Sequence, residues 1–175
     1  MRLLREALLS CVLGLPTAAF GQAQCGAPTP GDIEGPFYKS GAPKRASLVE
    51  PGSKAEKLVL SGVVRSPDCR PLANILLDFW HADANGAYDN RGYRYRGVVT
   101  TDAQGRYQLE TNLPPPYSGR PRHIHVKLQR PGGRVFTTQL YFPGEARSEN
   151  PALVVRMATA DGAGRASYDF VLDVQ

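Results

Sequence analysis

The chain has 175 residues, enough for one well-buried core and too few for two domains of ordinary size. Its formal net charge is +5, from 21 Lys and Arg against 16 Asp and Glu, and the basic residues are scattered rather than grouped in runs. This distribution is typical of a solvated surface, so nucleic-acid binding is not expected. The content of 18 Gly and 15 Pro favours many turns over long helices.

The first residues have the pattern of a secretory signal peptide. Two arginines precede an apolar run from Ala7 to Phe20, and small residues such as Ala23 follow it. We expect cleavage near Ala23, with residues 1–23 as the signal peptide and residues 24–175 as one domain of an exported protein, periplasmic or secreted. A retained amphipathic helix is the alternative. Stable membrane insertion is not expected, because the apolar run is shorter than the ~20 residues that cross a bilayer core.

Two cysteines remain after this cleavage, Cys25 and Cys69. An even number of cysteines fits a compartment that permits disulfides. We predict a bridge that ties the mature N-terminus to the turn at Pro67–Cys69. Two free thiols are the alternative, because the sequence does not fix the distance between them.

The mature chain begins with an irregular segment and continues as short strands. From Cys25 to Pro51 it is rich in Gly and Pro without sustained periodicity, which predicts an N-terminal arm. Runs of β-branched and aromatic residues between turn signals then predict seven strands: Lys57–Val64, Ile75–Asp78 continuing to Trp80, Tyr95–Thr100, Gly105–Thr111, His123–Gln129, Val135–Tyr141 and Ala166–Leu172. Asn150–Met157 is predicted to be a short helix entered through Pro151. The spacing predicts an all-β fold, an antiparallel β-sandwich with an irregular N-terminal arm and long loops.

His123-Ile124-His125 lies within one of the predicted strands. Alternate side chains of a strand share a face, so the two imidazoles point the same way and can converge on one metal ion. His81 is the one other histidine, and no cysteine pair has zinc-ligand spacing. A metal at this strand would therefore complete its shell with oxygen. The alternative is a surface strand that carries two histidines.

Tyrosines in loops are candidate oxygen ligands. Tyr117 follows three consecutive prolines, and Tyr88 follows the turn Asn85-Gly86-Ala87. A free tyrosine has a pKa of ~10, so only a strong, hard cation favours phenolate at neutral pH, and ferric iron is the natural candidate. By their residue type alone, Tyr93 and Tyr95 are as suitable as Tyr88.

A carboxylate site is a further alternative. Asp83 or Asp89 could join the two histidines around Fe(II), as in a different class of metalloenzyme.

Several motifs, in order along the chain, resemble those of the intradiol ring-cleavage dioxygenases, which include the catechol and protocatechuate dioxygenases. They are Glu34-Gly35-Pro36-Phe37-Tyr38, Leu77-Asp78-Phe79-Trp80-His81-Ala82, Gly86-Ala87-Tyr88, Arg96-Gly97, Thr101-Asp102-Ala103-Gln104-Gly105-Arg106-Tyr107, Pro116-Tyr117, Arg120-Pro121-Arg122-His123-Ile124-His125 and Thr138-Gln139-Leu140-Tyr141-Phe142. These blocks reach across most of the mature chain, and their order is more specific than any one of them.

The resemblance implies one non-haem Fe(III) per chain, with a catechol and O2 as substrates and a cis,cis-muconate-type diacid as product. Its implied ligands are Tyr88, Tyr117, His123 and His125. Arg120, in the family's Arg-Pro-x-His-x-His pattern, would stabilise negative charge on the ring, and Gln139 matches a glutamine beside the iron. Tyr117 would leave the metal as catechol binds and accept a substrate proton.

The resemblance also suggests residues of the substrate pocket and indicates which kind of family member this chain is. Pro36, Phe37 and Tyr38 are candidate pocket residues, although packing of the arm on the core would use the same residues. The segment from Tyr117 to His123 is shorter than in the catechol and protocatechuate enzymes and similar to compact secreted members. The helical N-terminal dimerisation segment of the catechol enzymes is missing, so their oligomeric state cannot be carried over, and the particular catechol also stays open. A non-catalytic transthyretin-like β-sandwich binding module is the competing hypothesis.

Overall fold

The structure is a computed structural model that describes residues 25–144, 150–160 and 163–173. The predicted signal peptide, residues 1–23, lies outside these ranges. Within them, no helix has the length and apolar character needed to span a membrane.

Two β-sheets make up the domain, and the predicted all-β sandwich is confirmed. The strands are β1 (Lys57–Arg65), β2 (Leu76–Trp80), β3 (Arg96–Thr100), β4 (Arg106–Asn112), β5 (His123–Gln129), β6 (Val135–Tyr141), β7 (Arg156–Ala160), β8 (Ala163–Ser167) and β9 (Phe170–Val171). One sheet has the order β3-β2-β5-β6, and the other has the order β4-β1-β8-β7, with β9 also paired to β1. Most pairs are antiparallel, as predicted, but β1 runs parallel to both β8 and β9.

The inner faces of both sheets form one hydrophobic core. Period-two alternation places apolar side chains on these faces, and the fully buried members include Leu58, Leu60, Leu77, Phe79, Leu109, Ile124, Val126, Leu128 and Leu140. On β5, His123 and His125 are buried as well, although they face away from this core. The outer face of the β3-β2-β5-β6 sheet must therefore be covered near the histidines.

The N-terminal arm provides part of this cover, because a Cβ on Gly35 would lie 3.5 Å from His125 Cε1. It runs beside β3, where the Arg45 N–H donates to the Val98 carbonyl, and then beside β4, where the Leu48 N–H donates to the Glu110 carbonyl. Leu48 is fully buried in the core. The predicted disulfide is present between Cys25 and Cys69, whose Cα atoms are 5.0 Å apart. The arm is therefore fixed to the sandwich by a covalent bond, backbone hydrogen bonds and apolar burial.

The C-terminal part of the domain differs from the sequence-based prediction. The predicted helix Asn150–Met157 is wrong: a 3-10 helix covers Pro151–Leu153, and β7 begins at Arg156. The Asn150 side chain caps this single turn, but the β-branched Val154 is already extended and the Val155 N–H donates to the Tyr141 carbonyl.

The last predicted strand, Ala166–Leu172, is divided into β8 and β9. A Cβ on Gly62 would lie only 1.8 Å from the Tyr168 carbonyl oxygen, so glycine is required there. Asp169 accepts a hydrogen bond from the Val63 N–H. The backbone of Tyr168 and Asp169 therefore leaves the strand ladder to pack over the glycine.

Candidate metal centre

Strand β5 presents the two histidines from the outer face of its sheet. His125 is opposite Trp80 on β2 and Gln139 on β6, and His123 is opposite Tyr141. The His125 ring stacks on the indole of Trp80, with centroids 4.8 Å apart and planes 5° from parallel. The His123 Nδ1–H donates to the Pro121 carbonyl at 2.8 Å, which leaves its Nε2 lone pair directed into the site. Both imidazoles are therefore held in one orientation.

Residues 81–95, between β2 and β3, form the Tyr88 loop. Asp83 Oδ1 accepts the N–H groups of Asn85 and Ala87 on one side of Tyr88. On the other side, Asp89 accepts the N–H groups of Gly92, Arg91 and Arg94, and these bonds lower the pKa of the Asp89 carboxyl to about 2. The loop is thus shaped by two carboxylates bonded to its own backbone.

Residues 113–122, between β4 and β5, form the Tyr117 loop. Reciprocal backbone hydrogen bonds join Tyr117 to Arg120, and the two residues between them have left-handed backbone, with φ of 50° at Ser118 and 76° at Gly119. This turn places Tyr117 and Arg120 side by side. Across from it, a Cβ on Gly86 would lie 2.8 Å from the Tyr117 Cβ, so only glycine permits the two loops to approach this closely.

Four polar atoms from these elements converge. Tyr88 Oη lies 3.1 Å from His125 Nε2 and 3.3 Å from His123 Nε2, and Tyr117 Oη lies 3.4 Å from Tyr88 Oη. Metal bonds of ~2.0–2.1 Å at angles of ~90–110° would separate neighbouring donor atoms by about 2.8–3.4 Å. The geometry therefore fits two phenol oxygens and two imidazole nitrogens around one ion.

The electrostatics of the cluster match a hard, highly charged cation. Burial raises the pKa of the Tyr88 phenol well above its ordinary value, and burial lowers the pKa of His125 to about 2. His125 is therefore neutral and able to donate an electron pair, whereas Tyr88 needs a strong cation to become a phenolate. Ferric iron satisfies this requirement.

Arg120 and Gln139 lie at the edge of the cluster. Arg120 Nη1 is 3.3 Å from His123 Nε2, and Arg120 Nη2 donates to Gln139 Oε1 at 3.0 Å. The guanidinium therefore faces the point on which the four candidate donors converge.

The structure decides among the alternative tyrosines. The Tyr93 hydroxyl donates to the Ser40 carbonyl, and the Tyr95 hydroxyl is directed at Asn112. Of the three, Tyr88 is the one whose hydroxyl contacts His123 and His125, whereas the Tyr95 ring packs on His81.

The carboxylate alternative is not formed. Within residues 25–144, 150–160 and 163–173, no group of three or more His, Cys, Asp and Glu side chains could hold a metal ion. His81 is also occupied elsewhere: its Nδ1–H donates to the Ala82 carbonyl, its Nε2 accepts from the Thr111 hydroxyl, and burial lowers its pKa to about 4. His81 thus supports the fold beside the site.

The three predicted pocket residues have different surroundings. Phe37 stacks on Tyr88, with centroids 4.6 Å apart and planes 17° from parallel. Tyr38 lies further from the donor atoms, against Trp80, and donates its hydroxyl to Asp78 at 3.0 Å, while Pro36 is exposed on the surface of the arm. Phe37 therefore has the most direct contact with the candidate ligands.

Three residues beside the centre were missed by the sequence-based prediction. Tyr141 could have been found, because it shares a strand face with Gln139. Arg96 is buried and donates to the Asp89 carbonyl and to the Asn90 side chain. These bonds fix the Tyr88 loop to the start of β3. Asp32, in the irregular arm, carries no signal in the sequence.

Comparisons with known proteins agree with this fold and identify the family. A family model described as dioxygenase matches residues 33–174. The chlorocatechol 1,2-dioxygenase of Pseudomonas sp. (strain P51) is 31% identical over 173 residues, covering 81% of this chain and 69% of that protein. The chlorocatechol 1,2-dioxygenase of Pseudomonas putida is 30% identical over 199 residues, covering 95% of this chain and 76% of that protein.

Solved structures show the same architecture. The dioxygenase domain of a dioxygenase carbohydrate-binding protein fusion from Streptomyces sp. SirexAA-E superposes with a TM-score of 0.81 at 47% identity, covering 85% of this chain and all of that one. The 3-chlorocatechol 1,2-dioxygenase from Rhodococcus opacus 1CP superposes with a TM-score of 0.73 at 29% identity, covering 82% of this chain and 72% of that one. These matches favour an enzyme over a binding module, and the chain belongs to the family of intradiol ring-cleavage dioxygenases.

Proposed function

We propose that this protein is a non-haem Fe(III) dioxygenase that cleaves a catecholic ring between its two hydroxyl-bearing carbons. Both atoms of O2 enter the product, a cis,cis-muconate-type diacid. The observation that carries the proposal is the convergence of two phenol oxygens and two imidazole nitrogens, with neighbouring donors 3.1–3.4 Å apart.

The proposed ligands of one ferric ion per chain are Tyr88, Tyr117, His123 and His125. When bound, the ion would act as a Lewis acid that draws electron density from a catecholate and makes its ring reactive towards O2. The relatives named chlorocatechol 1,2-dioxygenase and catechol 1,2-dioxygenase support a catechol as the substrate class.

The two tyrosines have different settings and therefore different proposed roles. Tyr88 is clamped between the stacked ring of Phe37 and the two histidines. Tyr117 lies in a tight turn of the Tyr117 loop and meets this group at its edge. We assign Tyr117, as the phenolate that it would be while it held the ion, as the base that accepts a substrate hydroxyl proton, because its ring belongs to a turn outside the sheet.

Arg120 supplies positive charge. Its guanidinium points towards His123 Nε2 and remains fixed by Gln139, so it meets negative charge that develops on a ring bound at the same place. Phe37, on the arm, supplies an apolar wall on the Tyr88 side.

Iron content, colour and O2 uptake test the proposal together. The purified protein is expected to hold one iron per chain, to be burgundy through ferric-tyrosinate charge transfer, and to consume one O2 per catechol cleaved. Incubation with isotopically labelled O2 should place both oxygen atoms in the diacid. Iron-loaded protein without visible colour, or without O2 uptake across simple, chlorinated, carboxylated and hydroxylated catechols, would contradict it.

We also propose that the protein is exported. The disulfide between Cys25 and Cys69 supports this location, because such bonds persist in oxidising compartments. The mass of the protein recovered from its native host should correspond to a chain that begins near Gln24. A full-length chain in the cytoplasmic fraction would contradict export.

A further inference from the structure

Arg120 is held from behind by hydrogen bonds that extend beyond Gln139. Its Nη2 donates to Gln139 Oε1 at 3.0 Å and to Tyr141 Oη at 3.3 Å. The Tyr141 hydroxyl in turn donates to Asp32 Oδ2 at 2.9 Å. We call Asp32, Arg120, Gln139 and Tyr141 the Asp32 network.

The hydrogen bonds of this network have a fixed direction. The single proton of the Tyr141 hydroxyl is committed to the Asp32 carboxylate, so its lone pairs face Arg120. Gln139 Nε2 donates to the Ile33 carbonyl at 2.7 Å, so its amide oxygen faces Arg120. Both groups that accept from the guanidinium are therefore oriented by two consecutive residues of the arm.

The arm is itself anchored along β6 at this point. The Asp32 N–H donates to the Thr137 carbonyl at 3.2 Å, and the Thr138 hydroxyl donates to the Pro30 carbonyl at 2.8 Å. Gln139 and Tyr141 are fully buried. Asp32 and Arg120, at the two ends of the network, are half-buried, so water is excluded from the two linking side chains rather than from the whole network.

Asp32 acts on Arg120 through two side chains, since its Oδ2 accepts from the Tyr141 hydroxyl and its Oδ1 lies 3.5 Å from Gln139 Nε2. Coulomb attraction weakens with distance, so Asp32, which lies one group further from the guanidinium than Tyr141 and Gln139 do, acts on Arg120 mainly by orienting these two side chains.

We propose that Asp32 is a positioning residue for Arg120, fixing the guanidinium through Tyr141 and Gln139 so that it faces the ring under attack. This inference rests on the proposed function, because the role of Arg120 belongs to that reaction. Asp32→Asn is expected to lower kcat about 10-fold, as is typical of residues that orient an active-site group, and to change the dissociation constant of catechol less than about 3-fold.

A double-mutant cycle tests the connection. Asp32→Asn, Arg120→Ala and the double variant are compared with the unchanged protein for kcat on catechol. If Asp32 acts through Arg120, Asp32→Asn should change kcat less than about 2-fold once Arg120 is alanine. Equal, multiplicative losses in both backgrounds would overturn the inference. Tyr141→Phe, which removes the linking hydroxyl and keeps the ring, should show the same non-additivity with Arg120→Ala.

Two further measurements separate positioning from folding. The visible band of the substrate-free protein and the anaerobic dissociation constant of catechol should be nearly unchanged in Asp32→Asn, because the candidate ligands are untouched. A shifted band or lost iron would show a general structural role and overturn the inference. Asp102→Asn is the matched control, an exposed carboxylate that bonds backbone N–H groups in the β3–β4 turn, and should leave kcat unchanged.

The outcomes for the two proposals are distinguishable. If the unchanged protein binds no catechol and consumes no O2, the proposed function fails. If it is active and Asp32→Asn retains full kcat, only the positioning role of Asp32 fails.

Discussion

Strand β5 and the two tyrosine loops bring their polar atoms to the same point by different physical means. His123 and His125 share a face because of strand alternation, and β5 is hydrogen-bonded to β2 and β6 on its two sides. Tyr88 and Tyr117 reach the site from loops shaped by side-chain caps, a tight turn and the close approach of Gly86 to Tyr117.

This contrast separates a rigid half of the centre from an adjustable half. Moving a histidine would require a change in the register of a central strand, which would expose its apolar residues. The position of a loop tyrosine depends instead on a few polar contacts, which can be altered without disturbing the core. Substitutions in the two halves should therefore have different effects.

The largest effect is expected for the strand. His125→Ala removes a candidate ligand and its stacking on Trp80, so iron content and activity should fall by more than the ~10- to 100-fold loss typical of residues that only orient ligands. Gln129→Ala, on the same face of β5, is the control and should retain iron and colour. Full iron content in His125→Ala would show that the strand does not supply a ligand.

An intermediate effect is expected for the loop tyrosines. Tyr88→Phe and Tyr117→Phe should each slow turnover and shift the visible charge-transfer band, because each removes one phenolate from the proposed iron shell. The control is Tyr93→Phe, in the same loop as Tyr88, whose hydroxyl bonds the Ser40 carbonyl. Its band should not move. An unaltered band in Tyr117→Phe would exclude that residue as a ligand.

The smallest effect is expected for the loop scaffold. Asp89→Asn replaces one carboxylate oxygen with an amide nitrogen, which cannot accept, so either the Gly92 or the Arg94 N–H loses its partner. We expect Tm to fall by about 3 °C at pH 7 and activity to fall by less than about 10-fold. Asp102→Asn should also lower Tm, because Asp102 accepts backbone N–H groups in the β3–β4 turn. Only Asp89→Asn should disturb the visible band.

The stability difference between the unchanged protein and Asp89→Asn depends on pH, and its direction follows from the pKa of Asp89. The pKa of Asp89 is lowered to about 2 in the folded protein, by hydrogen bonds to Gly92 and its neighbours, and lies near ~4 in an unfolded chain. Its stabilisation is therefore present above pH ~4 and is lost as the pH falls towards 2. Thermal unfolding in the presence of a chelator should show the Tm of Asp89→Asn and the Tm of the unchanged protein converging over that range. A Tm difference that does not change with pH would contradict the role of Asp89.

Much of the fold was predictable because strand periodicity is local. The runs that became β1 to β6 were found to within a few residues, and the sandwich and disulfide are present as predicted. The predicted helix at Asn150–Met157 failed because strand pairing with Tyr141 overrides the local signal of Pro151. The split between β8 and β9 depends on the packing of Tyr168 over Gly62, a contact between residues distant in sequence.

The sequence by itself determined that His123 and His125 share one face, because side-chain direction in a strand follows from residue number alone. It also determined the order of the motifs that show the family. The family resemblance implied Tyr88, but only the tertiary structure shows that its hydroxyl, rather than that of Tyr93 or Tyr95, contacts His123 and His125, and that Asp32 lies behind Arg120. Loop and arm conformations are fixed by contacts between distant residues, and no local pattern in the chain records those contacts.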